Sequence, residues 1–172
     1  MNYKIIPNFL EKENLEILKK NLFSEDLPWY YKENLTLPKK DNEHAFYNHC
    51  IYNLKPQSIL FNDMDVFINK LNIVSIVEIR ANSMYIQKDP YECSWHTDRP
   101  FKCKTGIFYL NTCNGYTLLN TNPITKIDSI ENTMLIFDSQ IQHKGVSQTD
   151  CKRRMVINFN YFDNPCAFTY NH

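Results

Sequence analysis

The 172-residue sequence has little glycine and no excess charge of either sign. Only three residues are glycine, and the many asparagines take over turn positions that Asn can fill. The 19 basic residues are balanced by 19 acidic ones, so the net charge is zero. This balance argues against binding driven by nucleic-acid phosphates, although basic residues cluster locally at Lys102, Lys104 and 152–154.

The sequence also lacks an apolar run long enough for a signal peptide or a membrane span. We therefore expect a cytoplasmic protein with no membrane partner. Six cysteines are present, but none form a C-x-x-C pair, which argues against a zinc ribbon or a thioredoxin-type site. In a cytosol we expect them to be reduced thiols, most of them packed as small apolar side chains.

The length suits a single domain over residues 1–172. Leu15, Leu18 and Leu22 at helical spacing predict an amphipathic helix over 11–23. Leu60, Met64, Phe67 and Leu71 predict a second helix over 58–71. The segment 24–57 is interrupted by prolines and is predicted to be irregular, with Trp29-Tyr30-Tyr31 as a candidate strand. The first 72 residues are thus expected to supply helical support and an irregular segment.

From residue 73, short runs rich in β-branched and aromatic residues alternate with turn signals such as Asn114-Gly115. The runs cover 73–82, 93–98, 104–111, 116–120, 123–128, 133–138, 142–147 and 153–162. About eight strands at this spacing indicate a mainly β fold, a double-stranded β-helix or jelly roll, with the N-terminal helices covering one outer face. Residues 73–162 would form this core and 163–172 a C-terminal tail.

A candidate metal site begins with the H-x-D pair His96 and Asp98. If residues 93–98 form a strand, these two side chains point to the same face. His143 follows a later predicted strand and is the best candidate for a third ligand among the five histidines. Two imidazoles and one carboxylate form the facial triad of non-haem iron(II), which leaves coordination positions open. Each residue alone has an ordinary structural explanation; their order on predicted strands makes the metal site the better interpretation.

Arg154 is a candidate anchor for an anionic co-substrate. The last predicted strand alternates apolar Met155, Ile157, Phe159 and Tyr161 with Arg154, Val156, Asn158 and Asn160. If the first set packs against the helices, Arg154 faces the interior, where a guanidinium needs an anionic partner and a carboxylate suits it bidentately. Arg153 is expected to be solvated.

These features together resemble the iron(II)/2-oxoglutarate-dependent oxygenases, in particular the prolyl-4-hydroxylase-like branch with its compact phage and marine-bacterial members. The resemblance runs from about Arg80 to Phe162. It rests on the ordered segments RANSMY, WHTD, TGIFYLN, NGYT, ENTMLIFDS and HKGVSQTDCKRRMVINFNYF.

The resemblance implies a double-stranded β-helix with Fe(II) on His96, Asp98 and His143. It implies 2-oxoglutarate held by Arg154 and Tyr85, O₂ as co-substrate, and ascorbate as a reductant that such enzymes can use. Halogenating relatives have a small residue at the place of Asp98, so its carboxylate favours hydroxylation. Val156 stands where relatives often have Ser or Thr, which removes a hydroxyl from the co-substrate pocket.

Several alternatives stay open at this stage. One is a nucleic-acid dealkylating oxygenase on the same iron site, which neutral charge disfavours. Another is a non-catalytic jelly-roll binding module. A third is a cupin-like dioxygenase without 2-oxoglutarate, and such an enzyme would need no interior Arg154. The substrate is expected to be peptidyl or a small molecule, with 86–95 and 24–57 shaping its entrance. Cys93, three residues before His96, is expected to be a packed thiol, and approach to the metal is the alternative.

Overall fold

The chain, seen in a computed structural model, is described over residues 3–33 and 45–164. The helices are α1 (Lys12–Leu22) and α2 (Asp65–Lys70), and a 3₁₀ turn (Ile59–Met64) leads directly into α2. The strands are β1 (Tyr3–Ile6), β2 (Tyr30–Lys32), β3 (Phe46–Asn53), β4 (Lys55–Pro56), β5 (Ile73–Tyr85), β6 (Lys104–Tyr109), β7 (Cys113–Leu119), β8 (Thr125–Ser129), β9 (Thr133–Asp138), β10 (His143–Val146) and β11 (Arg153–Asp163).

The strands form two antiparallel sheets. The large sheet has the order β1-β9-β6-β11-β5-β3-β2, with β4 paired to β3, and the small sheet has the order β10-β7-β8. A core of residues including Ile107, Leu119 and Phe137 lies between them. The prediction of a jelly roll is confirmed, with more strands than the eight expected.

The predicted helices cover the outer face of the large sheet. Leu15, Leu18 and Leu22 form the buried stripe of α1, as their spacing predicts. Phe67 of α2 packs its ring against Phe108 and Phe159 of the sheet, with centroids 5.0 and 4.9 Å away. The helices therefore close the core on the side away from the small sheet.

Strand β11 lies in the middle of the large sheet, paired with β5 on one side and β6 on the other. Its alternation is as the sequence predicts. Met155, Ile157, Phe159 and Tyr161 join the helix-side core. Arg154, Val156 and Asn158 line a cavity on the opposite face, between the sheets.

Two predictions about local structure were wrong. The segment 24–57 is not irregular in its described part, because β3 (Phe46–Asn53) adds an unexpected strand to the large sheet. The candidate strand at Trp29-Tyr30-Tyr31 is present as β2, and residues 34–44 lie outside the described residues. Residues 93–98 form no strand; His96 makes an isolated bridge to His143, and Glu92, just before the range, makes another to Val146. In the described part of the chain, no helix has the length and apolarity that crossing a membrane requires.

Candidate functional site

Three side chains that suit a metal ion meet at one end of the cavity between the sheets. His96, Asp98 and His143 each offer one ligand atom, and these atoms lie within 4.8 Å of one another. Asp98 Oδ1 is 3.8 Å from His96 Nε2 and 3.7 Å from His143 Nε2. The two nitrogens therefore face the same carboxylate oxygen.

Backbone pairing brings the two histidines together. The amide of each donates to the carbonyl of the other, at 3.1 and 2.9 Å, and the ring centroids are 4.4 Å apart. Each Nδ1 lies near a carbonyl oxygen, that of Ser94 at 3.0 Å and that of Ile141 at 3.4 Å. A carbonyl only accepts hydrogen bonds, so Nδ1 carries the proton and Nε2 presents its lone pair.

One carboxylate oxygen of Asp98 accepts a hydrogen bond and the other accepts none. Its side chain is 1% exposed, and Oδ2 accepts a hydrogen bond from Asn160 Nδ2 at 3.1 Å. Oδ1 is buried without a hydrogen-bond donor, although Arg80 Nη2 lies 3.6 Å away. A buried carboxylate oxygen is costly to leave without a partner. The oxygen, together with the two imidazole nitrogens, fits a divalent cation.

The protonation states suit metal binding as well. Burial lowers the pKa of His143 to about 4, against the opposing effect of Asp98, so the ring is neutral at physiological pH. Burial alone would raise the pKa of Asp98, but His143, Arg80, the Asn160 hydrogen bond and His96 together lower it. A neutral imidazole and an ionised carboxylate are the forms that bind metals.

Arg154 lies on the same cavity, 4% exposed. Its Nη2 donates to Thr117 Oγ1 at 3.1 Å, and that oxygen also accepts from Tyr109 Oη at 2.9 Å. Its Nε has no partner, and no carboxylate in 3–33 or 45–164 forms an ion pair with the guanidinium. The charge is therefore buried with neutral partners, which suits an anionic ligand.

The cavity joins the metal-type cluster to the arginine. Apolar side chains form much of its wall, and they come from both sheets and from the 86–103 loop. The wall consists of Phe46, Arg80, Asn82, Met84, Cys93, His96, Ile107, Thr117, His143, Gly145, Arg154, Val156 and Asn158.

Gly115 allows Arg154 to take this position. A Cβ at residue 115 would lie 2.8 Å from Arg154 Cδ and 2.9 Å from the carbonyl oxygen of Val146. Real Cβ atoms do not approach so closely. Close approach, rather than a turn conformation, therefore explains why glycine stands here.

The structure brings most of the predicted site residues together, and Tyr85 is the exception. His96, Asp98 and His143 cluster, and Arg154 shares their cavity. Tyr85 lies on the other face of β5, 49% exposed, with its ring 5.3 Å from that of Tyr47. We therefore correct its assignment to co-substrate binding: alternation along β5 directs Arg80, Asn82 and Met84 to the cavity and Tyr85 away from it.

The other two residues singled out from sequence are also placed. Arg153 points away from the cavity, with its guanidinium 5.2 Å from the Phe23 ring centroid. Cys93 is 4% exposed and packs with Phe46 and Met84 on the cavity wall. Cys93 is therefore a packed thiol, as expected, on the wall of the cavity that His96 also lines.

Sequence reasoning missed Tyr109, Thr117 and the role of Asn160. Tyr109 and Thr117 complete the surroundings of Arg154, and Asn160 holds Asp98. Alternation along β11 placed Asn160 on the inner face but did not show its partner. The contact between Arg154 and Thr117 joins residues 37 positions apart, so no local pattern shows it.

No protein-family model matches the sequence, and no curated protein matches it. Solved structures do match. A Trichoplax adhaerens prolyl hydroxylase, in complex with a hypoxia inducible factor oxygen degradation domain peptide fragment, is 20% identical with a TM-score of 0.66, covering 94% of this chain and 84% of that one.

Two further structures match at similar quality. A 2OG-Fe(II) oxygenase family oxidoreductase from Burkholderia pseudomallei is 14% identical with a TM-score of 0.68, covering 94% and 85% of the two chains. HygX from Streptomyces hygroscopicus, with nickel, 2-oxoglutarate and hygromycin B bound, is 10% identical with a TM-score of 0.62, covering 95% and 84%. The chain therefore has the double-stranded β-helix fold seen in solved structures of 2-oxoglutarate- and iron(II)-dependent oxygenases, prolyl hydroxylases among them.

Proposed function

We propose that the chain is a single-domain Fe(II)- and 2-oxoglutarate-dependent oxygenase that hydroxylates carbon. One observation carries the proposal. The buried oxygen of Asp98 that faces two imidazole nitrogens lies on the same cavity as Arg154, whose buried charge lacks a carboxylate among the described residues. A metal site and a carboxylate anchor in one cavity are what this chemistry requires.

His96, Asp98 and His143 would hold Fe(II). Two nitrogens and one oxygen form a facial set, and such a set leaves three coordination positions for other ligands. Asn160 keeps Asp98 Oδ2 engaged, which directs Oδ1 to the metal. The backbone bridge between the histidines fixes the spacing of the other two donors.

Arg154 would bind the carboxylate of 2-oxoglutarate that is remote from the metal. The planar guanidinium accommodates a carboxylate through two parallel hydrogen bonds. Thr117 Oγ1 already accepts from Tyr109 and Arg154, so its own hydroxyl proton is free to donate to the same carboxylate. The apolar wall of Ile107 and Val156 keeps water away from this contact.

When bound, Fe(II), 2-oxoglutarate and O₂ supply oxidative decarboxylation to succinate and CO₂, with one oxygen atom passing to a C–H bond of the substrate. The chain's contribution is orientation and exclusion of water. The carboxylate of Asp98 occupies the place where halogenating relatives need space for halide. We therefore assign hydroxylation to this site.

The substrate class we propose is a peptidyl side chain or a small molecule. The Trichoplax adhaerens structure holds a peptide fragment and the HygX structure holds hygromycin B, so this fold accommodates both kinds of ligand. Near the metal-type cluster, partly exposed Arg80 and Arg99 contact Glu78, and Lys144 lies 4.6 Å above the Trp95 ring. These polar and aromatic side chains suit recognition of either class.

Anaerobic titration of the apo protein with Fe(II) and then 2-oxoglutarate tests the proposal. We expect the visible charge-transfer band of the chelate to appear in wild type. His96→Ala should abolish it by removing a metal ligand. Arg154→Gln should retain iron binding but require on the order of ten-fold or more 2-oxoglutarate, because a charge-assisted hydrogen bond is lost.

Three outcomes would contradict parts of the proposal. Tight iron binding without a band in wild type would refute the 2-oxoglutarate assignment and favour a dioxygenase of the cupin type. Failure to bind iron would refute the enzyme assignment and favour a binding module. Undiminished succinate release by Asp98→Ala would refute the ligand role of Asp98.

A further inference from the structure

A second group of metal-type ligands lies outside the cavity, at the start of β7. Cys113, Asp150 and Cys151 each offer one ligand atom, two sulfurs and a carboxylate oxygen, and these lie within 4.8 Å of one another. Cys113 is buried, Cys151 is half-buried in the turn before β11, and Asp150 is exposed beside it. None of the three contributes to the cavity that holds His96, Asp98 and His143.

We propose that Cys113, Cys151 and Asp150 form a second metal site that binds a thiophilic divalent cation such as Zn²⁺. Zinc–sulfur and zinc–oxygen bonds of about 2.3 and 2.0 Å place ligand atoms roughly 3.5 to 3.8 Å apart around a tetrahedral ion. The three ligand atoms lie within 4.8 Å of one another, so they must draw closer together around the ion. Water takes the fourth position. Binding converts two thiols to thiolates and releases two protons.

Neighbouring groups already contact two of the three ligands, Cys151 and Asp150. Asn111 Nδ2 lies 3.6 Å from Cys151 Sγ, and an amide donor at this place stabilises a thiolate. The Cys151 thiol donates to the Arg153 carbonyl at 3.2 Å, and a cation would replace that proton. The backbone N–H of Asn114 donates to Asp150 Oδ2 at 2.8 Å. Two hydrogen bonds join the Asn114 side chain to Thr149. Asn114 Oδ1 accepts from the backbone N–H of Thr149 at 2.9 Å, and Asn114 Nδ2 donates to the Thr149 hydroxyl at 2.8 Å. The two chain segments are therefore fixed against each other before a cation arrives.

This site differs in chemistry from the first one. Two sulfurs favour soft and borderline cations, whereas two imidazoles and a carboxylate suit iron(II). The second site lies between the two chain segments that hold Arg154. Strand β7, which begins at Cys113, carries Thr117, and the turn that contains Cys151 leads directly into β11. A cation here would tie the small sheet to the large one beside that contact.

Titration of the reduced full-length protein with Cd²⁺, without oxygen, tests the site. Cadmium bound by thiolate absorbs in the ultraviolet, and cadmium at the imidazole cluster does not. We expect one equivalent to give the absorption of two thiolates. Cys113→Ser and Cys151→Ser should each weaken this binding on the order of a hundred-fold, and Asp150→Asn on the order of ten-fold. Cys103→Ser, a buried thiol elsewhere, is the matched control and should bind as wild type does.

If Cys113→Ser fails to fold, Cys151→Ser still tests the site, because Cys151 lies in a half-buried turn where the substitution disturbs the core less. Thiolate absorption that survives Cys151→Ser would overturn the proposal. Absence of thiolate absorption in wild type would also overturn it. A third contradicting result would be a Cys113–Cys151 disulfide, detected by mass spectrometry after exposure of the cadmium-bound protein to glutathione disulfide, because thiolates that bind the cation are not free to form it. His96→Ala should leave the cadmium signal unchanged, which separates this site from the proposed iron site.

Discussion

His96 and His143 exchange backbone hydrogen bonds, each amide donating to the carbonyl of the other, at 3.1 and 2.9 Å. This isolated bridge connects the 86–103 loop to the first residue of β10. The spacing of the two rings is thus set by main chain, and only side-chain rotation remains to be fixed. The Nδ1 contacts with the carbonyls of Ser94 and Ile141 fix that rotation.

Gly115→Ala should weaken 2-oxoglutarate binding while leaving iron binding intact. The added methyl would meet Arg154 Cδ and two backbone atoms, so the guanidinium must move. A displacement of this kind is expected to cost on the order of ten-fold or more in affinity. Calorimetric titration of iron-loaded protein without oxygen measures it.

Gly106→Ala is the matched control for that variant, because its Cβ would have only ordinary contacts, the nearest at 3.4 Å. It should bind 2-oxoglutarate as wild type does. Equal affinities in the two variants would show that Gly115 does not position Arg154.

Asn160→Ala should lower Fe(II) affinity by about 10- to 100-fold, as loss of a group that orients a metal ligand does. The substitution removes the hydrogen bond to Asp98 Oδ2 and frees the carboxylate to rotate. Equilibrium competition with a chromophoric chelator measures the affinity.

Thr105→Val serves as the control for Asn160→Ala. It removes the other acceptor of Asn160 Nδ2, 3.1 Å away, and leaves the contact with Asp98 in place. We expect its iron affinity to change by only a few-fold. If Thr105→Val weakened iron binding as much as Asn160→Ala, general disturbance of β11 would explain both.

Val156→Thr should tighten 2-oxoglutarate binding by about 2- to 10-fold, the value of one hydrogen bond. Val156 is 7% exposed and lines the cavity two residues after Arg154. A hydroxyl there would supply the group that the oxygenases which the sequence resembles often have at this place. Val146→Thr makes the same change at a buried valine away from the cavity wall and should leave the affinity unchanged. Unaltered or weaker binding by Val156→Thr would show that the hydroxyl does not reach the co-substrate.

Phe67→Ala should reduce the free energy of unfolding by about 3–5 kcal/mol, because it empties the contact between α2 and the large sheet. Its ring is fully buried against Phe108 and Phe159. Phe162→Ala removes an equal side chain that is 42% exposed, and should cost about 1 kcal/mol or less. Guanidinium-induced unfolding distinguishes the two. Similar losses would mean that α2 contributes little to the core.

Sequence patterns predicted the parts of the fold that depend on local period. Alternation along β11 separated Phe159 from Asn158 correctly because one face meets apolar helices and the other a polar cavity. The leucine stripe of α1 was equally clear. Strand β3 was missed because it pairs with β5 about thirty residues away, and nothing local distinguishes it from a loop.

The three predicted ligand residues come together in the structure, whereas the residues that hold them in place were predicted less well. His96 and Asp98 were placed on a strand, whereas His96 is held by its bridge to His143 and its contact with the Ser94 carbonyl, and Asp98 by a hydrogen bond from Asn160. Tyr85 was assigned by resemblance, and alternation along β5 turns it outward. Such partners are contacts between distant segments, which residue order does not show.

The central position of β11 has a consequence for how this chain can change. Its even-numbered side chains face the cavity, and its odd-numbered side chains pack in the helix-side core. Deletion of one residue between Arg154 and Asn160 would turn each following side chain to the opposite face of the sheet. Binding and folding would then fail together. Insertions and deletions within this strand are therefore not tolerated. A new substrate specificity must arise from point substitutions or from changes in the loops around the cavity.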